Sequence, residues 1–422
     1  MAPRRPDRER IRMLTTALEA EYGPAADSAR VEIVRAPGRV NLIGDGTDYN
    51  DGFVLPVAVE LETWIAFRRR QDGLVRVASR QSREAGSFWI DSLVPGSLVA
   101  APAAAAAPRV RAASAPASAA GRPSGGWSDY VAGAAWSLRE ASLPIRGFDG
   151  IVDTTIPIGA GLSSAAALEV ASALALLGGE RILAAPALAA LAQRAERDYV
   201  GVDCGIVDQF ASAAGREGQA LLLDCRSLDA QYVPLPFGVS VVVCDTGKRH
   251  EPQASGNHVR RAECARAVAL LSERMPGLCS LRDLDAAFLR RHRALLPENL
   301  ARRAEHVVSE NARVGATAAA MEAGDLSELC RLFDESHVSL RERYEVGSPA
   351  LDVMVDVARA IPGVVASRMT GGPGGCTVNL VLADAVPALQ AAVSREYDRR
   401  TGLRGRVYAV AIVDGAGPLA TD

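Results

Sequence analysis

Lysine is almost absent from this chain: Lys248 is the only one, and the other basic residues are arginines. P-loop kinases and protein kinases both place a lysine on the phosphates of their nucleotide in a fixed sequence context. Lys248 lies in the segment "CDTGKRHE", and no glycine stands five residues before Gly247. The sequence therefore argues against both of these phosphotransfer architectures.

Long apolar runs, blocks of like charge and paired cysteines are missing as well. No apolar run reaches the length of a membrane span, and the N-terminus "MAPRRPDRERIRML" lacks a signal-peptide core. The formal charge of −3, without a basic block, argues against nucleic acid and membranes as partners. The seven cysteines are scattered, which predicts free thiols in a reducing cytoplasm rather than a disulfide frame or a zinc site.

Strand-like and helix-like patterns occur in both halves of the 422-residue chain, including a long helical pattern over residues 311–337. This mixture predicts an α+β fold with two domains, which we place at residues 1–218 and 219–422. Between about residues 95 and 126, Ala, Pro, Ser and Gly dominate. Such a composition buries too little apolar surface to offset the entropy of ordering, so we expect a mobile surface insertion there.

The loop "PIGAGLSSAAALEV", residues 157–170, follows a predicted strand and opens a predicted helix. Backbone N–H groups at such a helix start can cradle a polyphosphate. Gly159 and Gly161 permit close approach, and Ser163 and Ser164 offer hydroxyls to a phosphate or a metal ion. Taken alone, such a turn is about as often a simple tight turn.

Carboxylates are concentrated in two other segments. "GRVNLIGDGTDYNDGFVLP" places Arg39 ahead of Asp45 and Asp48, and "ERDYVGVDCGIVDQF" places Glu196 twelve residues before Asp208. One carboxylate of the second segment could hold Mg²⁺ while the other meets a substrate hydroxyl. In isolation, a glutamate and an aspartate in these positions are also typical of a solvated helix and a helix cap.

Together, these motifs resemble the galactokinases, within the superfamily of galactokinase, homoserine kinase, mevalonate kinase and phosphomevalonate kinase. The similar segments cover nearly the whole chain outside the insertion and the tail. They are "RAPGRVNLIGDGTDYNDGFVLP", "WSDYVAGA", "PIGAGLSSAAALEVA", "GIVDQFASAAGREGQALLLDCRSL", "HVRRAECARAVALL", "ESHVSLRERYEVGSPALD" and "RMTGGPGGCTVNLV".

The resemblance implies two domains of the galactokinase type with the active site in the cleft between them. It implies that Arg39 and Asp208 flank the anomeric hydroxyl of a sugar, and that Glu196 and Ser164 hold Mg²⁺. The ATP phosphates would lie on a loop made of Gly159, Ala160, Gly161, Leu162, Ser163 and Ser164. The sugar would meet Asp45, Gly46, Asp48 and Asn257.

The chain departs from the family pattern at both ends of this implied site. Asp45 stands where the family has glutamate and Gly46 where it has histidine, two positions near the sugar C6 hydroxyl. We expect the missing imidazole at Gly46 to open space. Asn257 replaces a tyrosine near C4, Ala165 replaces a third serine of the phosphate loop, and Pro373 stands in a shortened third motif.

The expected activity is ATP-dependent phosphorylation of the C1 hydroxyl of galactose by a monomeric, cytoplasmic enzyme. Its partners would be small molecules only. One alternative is a 1-kinase for another galactose-like aldose, such as L-arabinose, D-fucose or a C6-modified galactose. Another is an inactive sugar- and ATP-binding regulator on the same scaffold. A kinase for a non-sugar alcohol is a third, against which Asp48 and the long "TDYNDGFVLP" match argue.

Overall fold

The computed structural model describes residues 7–24, 30–95, 122–248, 257–372 and 375–420. Most of the predicted insertion and Pro373 lie outside these residues, so the expectations for both stay predictions. The side chain of Asn257 is likewise not described. Within the described residues, no helix is long and apolar enough to cross a membrane. The seven cysteines all fall in the described ranges and are free thiols.

Both halves of the chain contain strands and helices among the described residues, which confirms the predicted α+β class. The strands are β1 (Glu32–Asn41), β2 (Phe53–Val54), β3 (Pro56–Arg69), β4 (Leu74–Ser79), β5 (Ala85–Trp89), β6 (Phe148–Thr154), β7 (Gln219–Asp224), β8 (Ala230–Pro234), β9 (Val239–Asp245), β10 (Val364–Thr370), β11 (Cys376–Leu382), β12 (Arg406–Val410) and β13 (Gly417–Leu419). The helices are α1 (Arg8–Tyr22), α2 (Ser128–Glu140), α3 (Ser164–Leu176), α4 (Ala185–Arg194), α5 (Val207–Ala214), α6 (Asn257–Ser272), α7 (Ala286–His292), α8 (Glu298–Ala323), α9 (Leu326–Ser339), α10 (Pro349–Arg359), α11 (Val386–Ala392) and α12 (Asp398–Thr401).

The first sheet has the strand order β13-β1-β3-β6-β4-β5 among the described residues. Successive residues of a strand face opposite sides of a sheet. Trp64 and Ala66 of β3 accordingly pack on α1, while Ile65 and Phe67 join the main core that includes α3. Because β13 pairs with β1, the end of the chain returns to the sheet that the first half builds.

The helix α3 is mostly apolar and is buried on every side from Ala166 to Leu176. A helix of this kind needs neighbours all round, and α3 packs against β1, β3, α2 and α5. Its first residue, Ser164, follows the glycine-rich loop directly. The loop is therefore attached to one of the most firmly packed elements of the fold.

A second sheet, in the order β10-β11-β9-β12, and a small sheet, β2-β7-β8, complete the architecture of the described residues. Helices α9 and α10 pack on β10. The small sheet joins β2, from early in the chain, to the β7–β8 hairpin that follows residue 218. The proposed division at residue 218 stays a prediction.

The single long helix predicted over residues 311–337 is wrong, because the structure has a break within it. The pattern over residues 311–337 belongs to two helices, α8 and α9, separated at Gly324 and Asp325. Gly324 adopts a left-handed φ of +65° at the end of α8, and the Asp325 carboxylate accepts the N–H of Glu328 at the start of α9. Glycine and aspartate at these positions are ordinary helix stop and start signals.

Candidate active site

Arg39 lies near the end of β1, directly against the glycine-rich loop that precedes α3. The pairing of β1 with β3 shifts register between Pro37 and Gly38. A Cβ on Gly38 would lie 2.7 Å from the carbonyl oxygen of Leu162, so glycine at this position lets the strand approach the loop. The backbone N–H of Arg39 donates to that same oxygen over 3.2 Å, which joins the strand to the loop.

The guanidinium of Arg39 binds Asp208, which lies in the first turn of α5. Nε and Nη2 of Arg39 lie 2.8 and 2.5 Å from Oδ1 of Asp208. Nη1 donates to the carbonyl oxygen of Gly161 over 2.8 Å. The Asp208 side chain is 34% exposed, against 14% for Arg39. The carboxylate is thus anchored by a largely buried cation and still accessible to a ligand.

The glycine-rich loop lies against the second glycine-rich segment. Gly159 and Gly161 have φ angles of +75° and +76°, a conformation that favours glycine. A Cβ on Gly161 would lie 3.6 Å from Cα of Gly371, and the Cys376 thiol donates to the carbonyl oxygen of Ala160 over 2.6 Å. Segments more than 200 residues apart therefore form one wall of the site.

The serines at the end of this loop have different surroundings. Ser163 donates its hydroxyl hydrogen to Oδ2 of Asp208 over 2.6 Å. Ser164 begins α3, and within the described residues its hydroxyl makes no hydrogen bond to the protein. Leu162 is buried and Ala165 half-buried. A hydroxyl, a carboxylate and a guanidinium thus meet at the loop.

Glu196 lies in a π-helical turn, Ala195–Val200, and is buried beside a second carboxyl group, that of Glu169. Gln209 bridges the two: its Nε2 donates to Oε2 of Glu196 over 2.6 Å and to Oε2 of Glu169 over 3.0 Å. Burial raises the pKa of Glu196, and the charge of Asp208 raises it further. Burial likewise raises the pKa of Glu169, because no water offsets its charge. Arg39 is the positive charge that partly offsets this effect at Glu196.

The loop between β1 and β2, residues 42–52, carries Asp45, whose carboxylate is engaged by the protein itself. The fully buried guanidinium of Arg368 forms an ion pair with it. Asn41 Nδ2 and the Thr370 hydroxyl both lie 3.4 Å from its oxygens. Asp45 therefore fixes the β1–β2 loop to β10, a role that its place in the sequence motif did not indicate.

The expected space at Gly46 is not there. Gly46 has a φ of +84°, and a Cβ at this position would lie 2.6–2.8 Å from three atoms of the Tyr344 side chain. The Tyr344 hydroxyl forms a short hydrogen bond with that of Tyr49. The prediction that the missing imidazole opens space is therefore wrong. The ring of Tyr344 occupies the position that a side chain at residue 46 would need.

Asp48 lies in a short 3₁₀ turn, Asp48–Asn50, with its carboxylate against the backbone of Gly205. A Cβ on Gly205 would lie 1.8 Å from Oδ2 of Asp48, so no other residue fits there without displacing the carboxylate. Burial raises the pKa of Asp48 to about 6, and the charges of Asp208 and Asp45 contribute. Asp45, Asp48 and Asp208 are thus close enough for the charges of the other two to affect the pKa of Asp48.

Sequence reasoning missed the residues of α8 that hold the β1–β2 loop. Glu310, fully buried, accepts the backbone N–H of Gly44 over 3.2 Å. Asn311 Oδ1 accepts the backbone N–H of Phe53 over 2.8 Å. His306 meets the backbone of Asp45. The available signal was the run "HVVSEN", in which polar residues at helical spacing interrupt an apolar face.

The structure therefore brings some of the predicted site residues together and leaves others apart. Arg39, Asp208, the glycine-rich loop, Glu196 and Asp48 meet around one region, through the contacts and the charge interactions described above. The side chain of Asp45 contacts Arg368 instead, and Tyr344 packs against Gly46. Asn257 begins α6, where only its backbone is described. The region combines a guanidinium, carboxylates and a glycine-rich backbone segment.

Two family models match the parts of the chain that build this region. Residues 17–69 match the galactokinase galactose-binding signature, which includes Arg39 and the β1–β2 loop. Residues 129–216 match the N-terminal domain of GHMP kinases, which includes the glycine-rich loop, Glu196 and Asp208.

Similar proteins cover nearly the whole chain. The galactokinase of Roseiflexus sp. (strain RS-1) is 42% identical over 387 residues, which are 91% of this chain and 92% of that protein. The galactokinase of Chloroflexus aurantiacus is 44% identical over 88% of this chain and 89% of its own. Among solved structures, Lactococcus lactis galactokinase complexed with galactose superposes with a TM-score of 0.84 at 31% identity, covering 96% of this chain and 98% of its own. Methanococcus jannaschii mevalonate kinase shares the fold at a TM-score of 0.61 and 15% identity, covering 92% of this chain and 100% of its own.

Proposed function

This chain belongs to the galactokinase family, and on that premise we propose that it transfers the γ-phosphoryl group of ATP to the C1 hydroxyl of galactose. The observation that carries the proposal is the Arg39–Asp208 ion pair, 34% exposed on its carboxylate side and joined to the glycine-rich loop through Gly161 and Ser163. Asp208, the proposed base for the sugar hydroxyl, therefore contacts the glycine-rich loop that we propose for the phosphates.

In the proposed reaction, the C1 oxygen attacks the γ-phosphorus and the bond to the β–γ bridging oxygen breaks, so ADP leaves. Asp208 orients the C1 hydroxyl and accepts its proton. Arg39 keeps the carboxylate in place and offsets negative charge that spreads over the transferring group. Phosphoryl transfer depends mainly on positioning and charge stabilisation, so a modest base suffices.

We assign the ATP phosphates to Gly159, Ala160, Gly161, Leu162, Ser163 and Ser164. The left-handed glycines allow close approach of the phosphates to the backbone. Ser164, the first residue of α3, has its hydroxyl free of protein partners among the described residues, so it is available to a phosphate or a metal ion. Ala165 offers no hydroxyl, so we assign the hydroxyl contact in this part of the loop to Ser164.

The residues at Glu196 suit a magnesium ion. Mg²⁺ in phosphotransfer sites is held by one or two carboxylates together with the substrate phosphates, rather than by a cage of protein ligands. In keeping with this, the described residues contain no group of three or more His, Cys, Asp or Glu that could hold a metal. Glu196 is a buried carboxyl group that feels the charge of Asp208, and a divalent cation would offset both charges. Glu196 and Ser164 would hold Mg²⁺, which supplies charge neutralisation for the phosphates.

We assign the sugar to Asp48 and, at its edges, to Asp45, Gly46 and Asn257. Asp48 faces the Asp208 region and can accept hydrogen bonds from two hydroxyls. Because Asp45 is bound to Arg368 and Gly46 is covered by Tyr344, these two residues shape the site without offering free side chains. A 1-kinase for L-arabinose, D-fucose or a C6-modified galactose remains the alternative for this reason.

We further propose that the enzyme acts as a monomer in the cytoplasm, on small-molecule substrates alone. The scattered free thiols suit a reducing compartment. The net charge of −3 without a basic block gives no surface for nucleic acid.

The test is ADP release coupled to a sugar panel of galactose, L-arabinose, D-fucose, galacturonate and N-acetylgalactosamine. We expect Mg²⁺-dependent ADP release with galactose. If another sugar of the panel gives a far higher kcat/KM, the alternative substrate replaces galactose. If no sugar raises ADP release above background, the inactive regulator replaces the kinase.

A further inference from the structure

Ser163 has an unusual place for a serine at the start of a helix. It occupies the N-cap position of α3, yet its side chain makes no capping hydrogen bond. Its backbone is left-handed, with φ +62° and ψ +48°, which is strained for a residue with a side chain. The hydroxyl instead crosses to Asp208, 45 residues away, and donates to Oδ2 over 2.6 Å. Strain and a missing cap at one residue indicate that the hydroxyl serves another purpose.

The bond to Ser163 takes one of the two acceptor positions on Oδ2 of Asp208. Oδ1 faces both Nε and Nη2 of Arg39. Oδ2 carries the Ser163 hydroxyl. A sugar hydroxyl that is to be deprotonated needs a carboxylate oxygen as its acceptor. Oδ2 is the better candidate because Oδ1 already accepts two guanidinium contacts. The sugar hydroxyl must then share Oδ2 with Ser163, whose hydrogen bond takes one of its two lone pairs and makes the oxygen a weaker proton acceptor.

Ser163 also belongs to the loop that we assign to the ATP phosphates. Phosphate oxygens carry more negative charge than one carboxylate and attract hydroxyl donors at least as well. Ser163 therefore has one hydroxyl hydrogen and two acceptors that can claim it, Asp208 in the free protein and a phosphate in the nucleotide complex.

We propose that Ser163 is a latch on Asp208, a positioning residue that makes the order of substrate binding matter. In the absence of nucleotide, the serine hydroxyl occupies Oδ2. When the phosphates reach the loop, the hydroxyl turns to them and Oδ2 becomes free for the C1 hydroxyl of the sugar. This proposal rests on the proposed function, because it takes the loop as the phosphate site and Asp208 as the base.

The latch predicts positive coupling between the two substrates. A hydrogen bond to a charged group contributes roughly ten- to a hundredfold in affinity, and the partial exposure of Asp208 places the effect near the lower end. The sugar should therefore bind about tenfold more tightly once the nucleotide is present. By thermodynamic reciprocity, the sugar should tighten nucleotide binding by the same factor.

Two variants separate the hydroxyl from the backbone strain. Ser163→Ala removes the hydroxyl and keeps the strained conformation, whereas Ser163→Gly removes the hydroxyl and relieves the strain, because glycine adopts a left-handed backbone readily. A latch predicts the same result for both. Ser272→Ala on α6 is the control: it also removes a serine hydroxyl, one that donates to the carbonyl oxygen of Ala269 within its own helix over 2.8 Å.

The first measurement is isothermal titration of galactose, with and without saturating Mg²⁺ and adenylyl imidodiphosphate. For the wild type, the nucleotide analogue should lower the galactose Kd about tenfold. In both Ser163 variants, galactose should bind without nucleotide as tightly as it binds the wild-type nucleotide complex, and the analogue should change nothing further. Ser272→Ala should keep the wild-type difference. A nucleotide effect that persists in both Ser163 variants overturns the latch.

The second measurement does not depend on the identity of the sugar. A crystal structure of the wild type with Mg²⁺ and adenylyl imidodiphosphate, without sugar, should show the Ser163 hydroxyl on a phosphate and Oδ2 of Asp208 released. If the bond between Ser163 and Asp208 persists in that complex, the proposal is wrong even where galactose is phosphorylated. If galactose is not a substrate but the bond opens, the latch stands and the proposed substrate falls.

Discussion

The imidazole of His306 lies 2.9 Å from the backbone oxygen of Asp45, with Nε2 as the donor, and thereby joins helix α8 to the β1–β2 loop. Nδ1 lies 2.8 Å from the Ser339 hydroxyl, which donates to it. The ring stacks on Tyr344 with centroids 4.3 Å apart. Because burial keeps the ring neutral and Nε2 carries its hydrogen, Nδ1 is the acceptor for the Ser339 hydroxyl.

The first prediction concerns the acid stability that follows from this neutral ring. Burial lowers the pKa of His306 to about 4 from an ordinary value of 6.5. Between these values the unfolded chain binds a proton that the folded one does not, so the free energy of unfolding falls as pH drops from 6.5 toward 4. From pH 6.5 to about pH 4.5, His306 alone should account for a loss of about 2 kcal/mol.

Urea unfolding of the wild type and of His306→Phe at several pH values measures this effect. The phenyl ring keeps the stacking on Tyr344 but does not titrate, so the variant should be less stable at neutral pH and should lose less stability on acidification. His337, whose pKa is also lowered by burial, titrates in the same window in both proteins and cancels in the comparison. Parallel pH curves for the two proteins would exclude His306 as the source.

The second prediction concerns Asp208. Replacing it with asparagine keeps the shape of the side chain and removes both the charge that binds Arg39 and the proton acceptor. Turnover should fall by roughly a hundredfold or more, the usual worth of a general base. The affinity for ATP, measured by titration with adenylyl imidodiphosphate, should stay within a few-fold of the wild type. Turnover near the wild-type rate would remove Asp208 from the mechanism.

The third prediction concerns Gly205. Gly205→Ala should displace Asp48, because the new Cβ would fall 1.8 Å from its Oδ2. A lost hydrogen bond to a charged group costs roughly ten- to a hundredfold in affinity, so the sugar KM should rise by about that factor while the ATP KM stays unchanged. Gly315→Ala is the matched control: its Cβ would meet nothing within 4 Å on α8. That control should stabilise the helix by about 0.5–1 kcal/mol and leave both KM values alone. An unchanged sugar KM in Gly205→Ala would refute the assignment of Asp48.

The fourth prediction concerns Gly46. Restoring the residues of the family, by Asp45→Glu with Gly46→His, should lower the melting temperature and should not raise the preference for galactose over L-arabinose. The positive φ of +84° is unfavourable for any side chain, by about 1–2 kcal/mol, and Tyr344 blocks the new Cβ. A stable double variant with a stronger preference for galactose would show that Tyr344 yields, and that the sequence-based expectation of open space was nearer the truth.

The sequence allowed the chain of motifs, the α+β class and the pairing of Arg39 with Asp208 to be predicted, because each rests on local pattern or on a resemblance spread over the chain. It did not allow the partners of Asp45 and Gly46 to be predicted. Those partners, Arg368 and Tyr344, come from distant elements. Glycine at residue 46 leaves a cavity only if no other side chain fills the space, and here Tyr344 fills it. A motif does not show which side chains from distant segments pack against it.

The same reason explains Ser163 and the helix α8. The motif "GLSS" indicates a phosphate loop, yet it gives no sign that one of its hydroxyls reaches Asp208. Polar residues on a long helix are usually read as its solvated face. Glu310 is instead fully buried, which by itself would raise its pKa, but the charges of Arg313 and Arg368 and the hydrogen bond from Ser336 lower that pKa to about 2.

The most direct test of the central claim is the position of the phosphate in the product. Purified enzyme, ATP, Mg²⁺ and galactose are incubated, and the product is examined by ³¹P-coupled proton NMR. The account predicts one sugar phosphate per ADP formed, with phosphorus coupled to the anomeric proton, and no such product from Asp208→Asn. A phosphate on another carbon of galactose, or ADP release without any sugar phosphate, would contradict the assignment of Asp208 and Arg39 to the C1 hydroxyl.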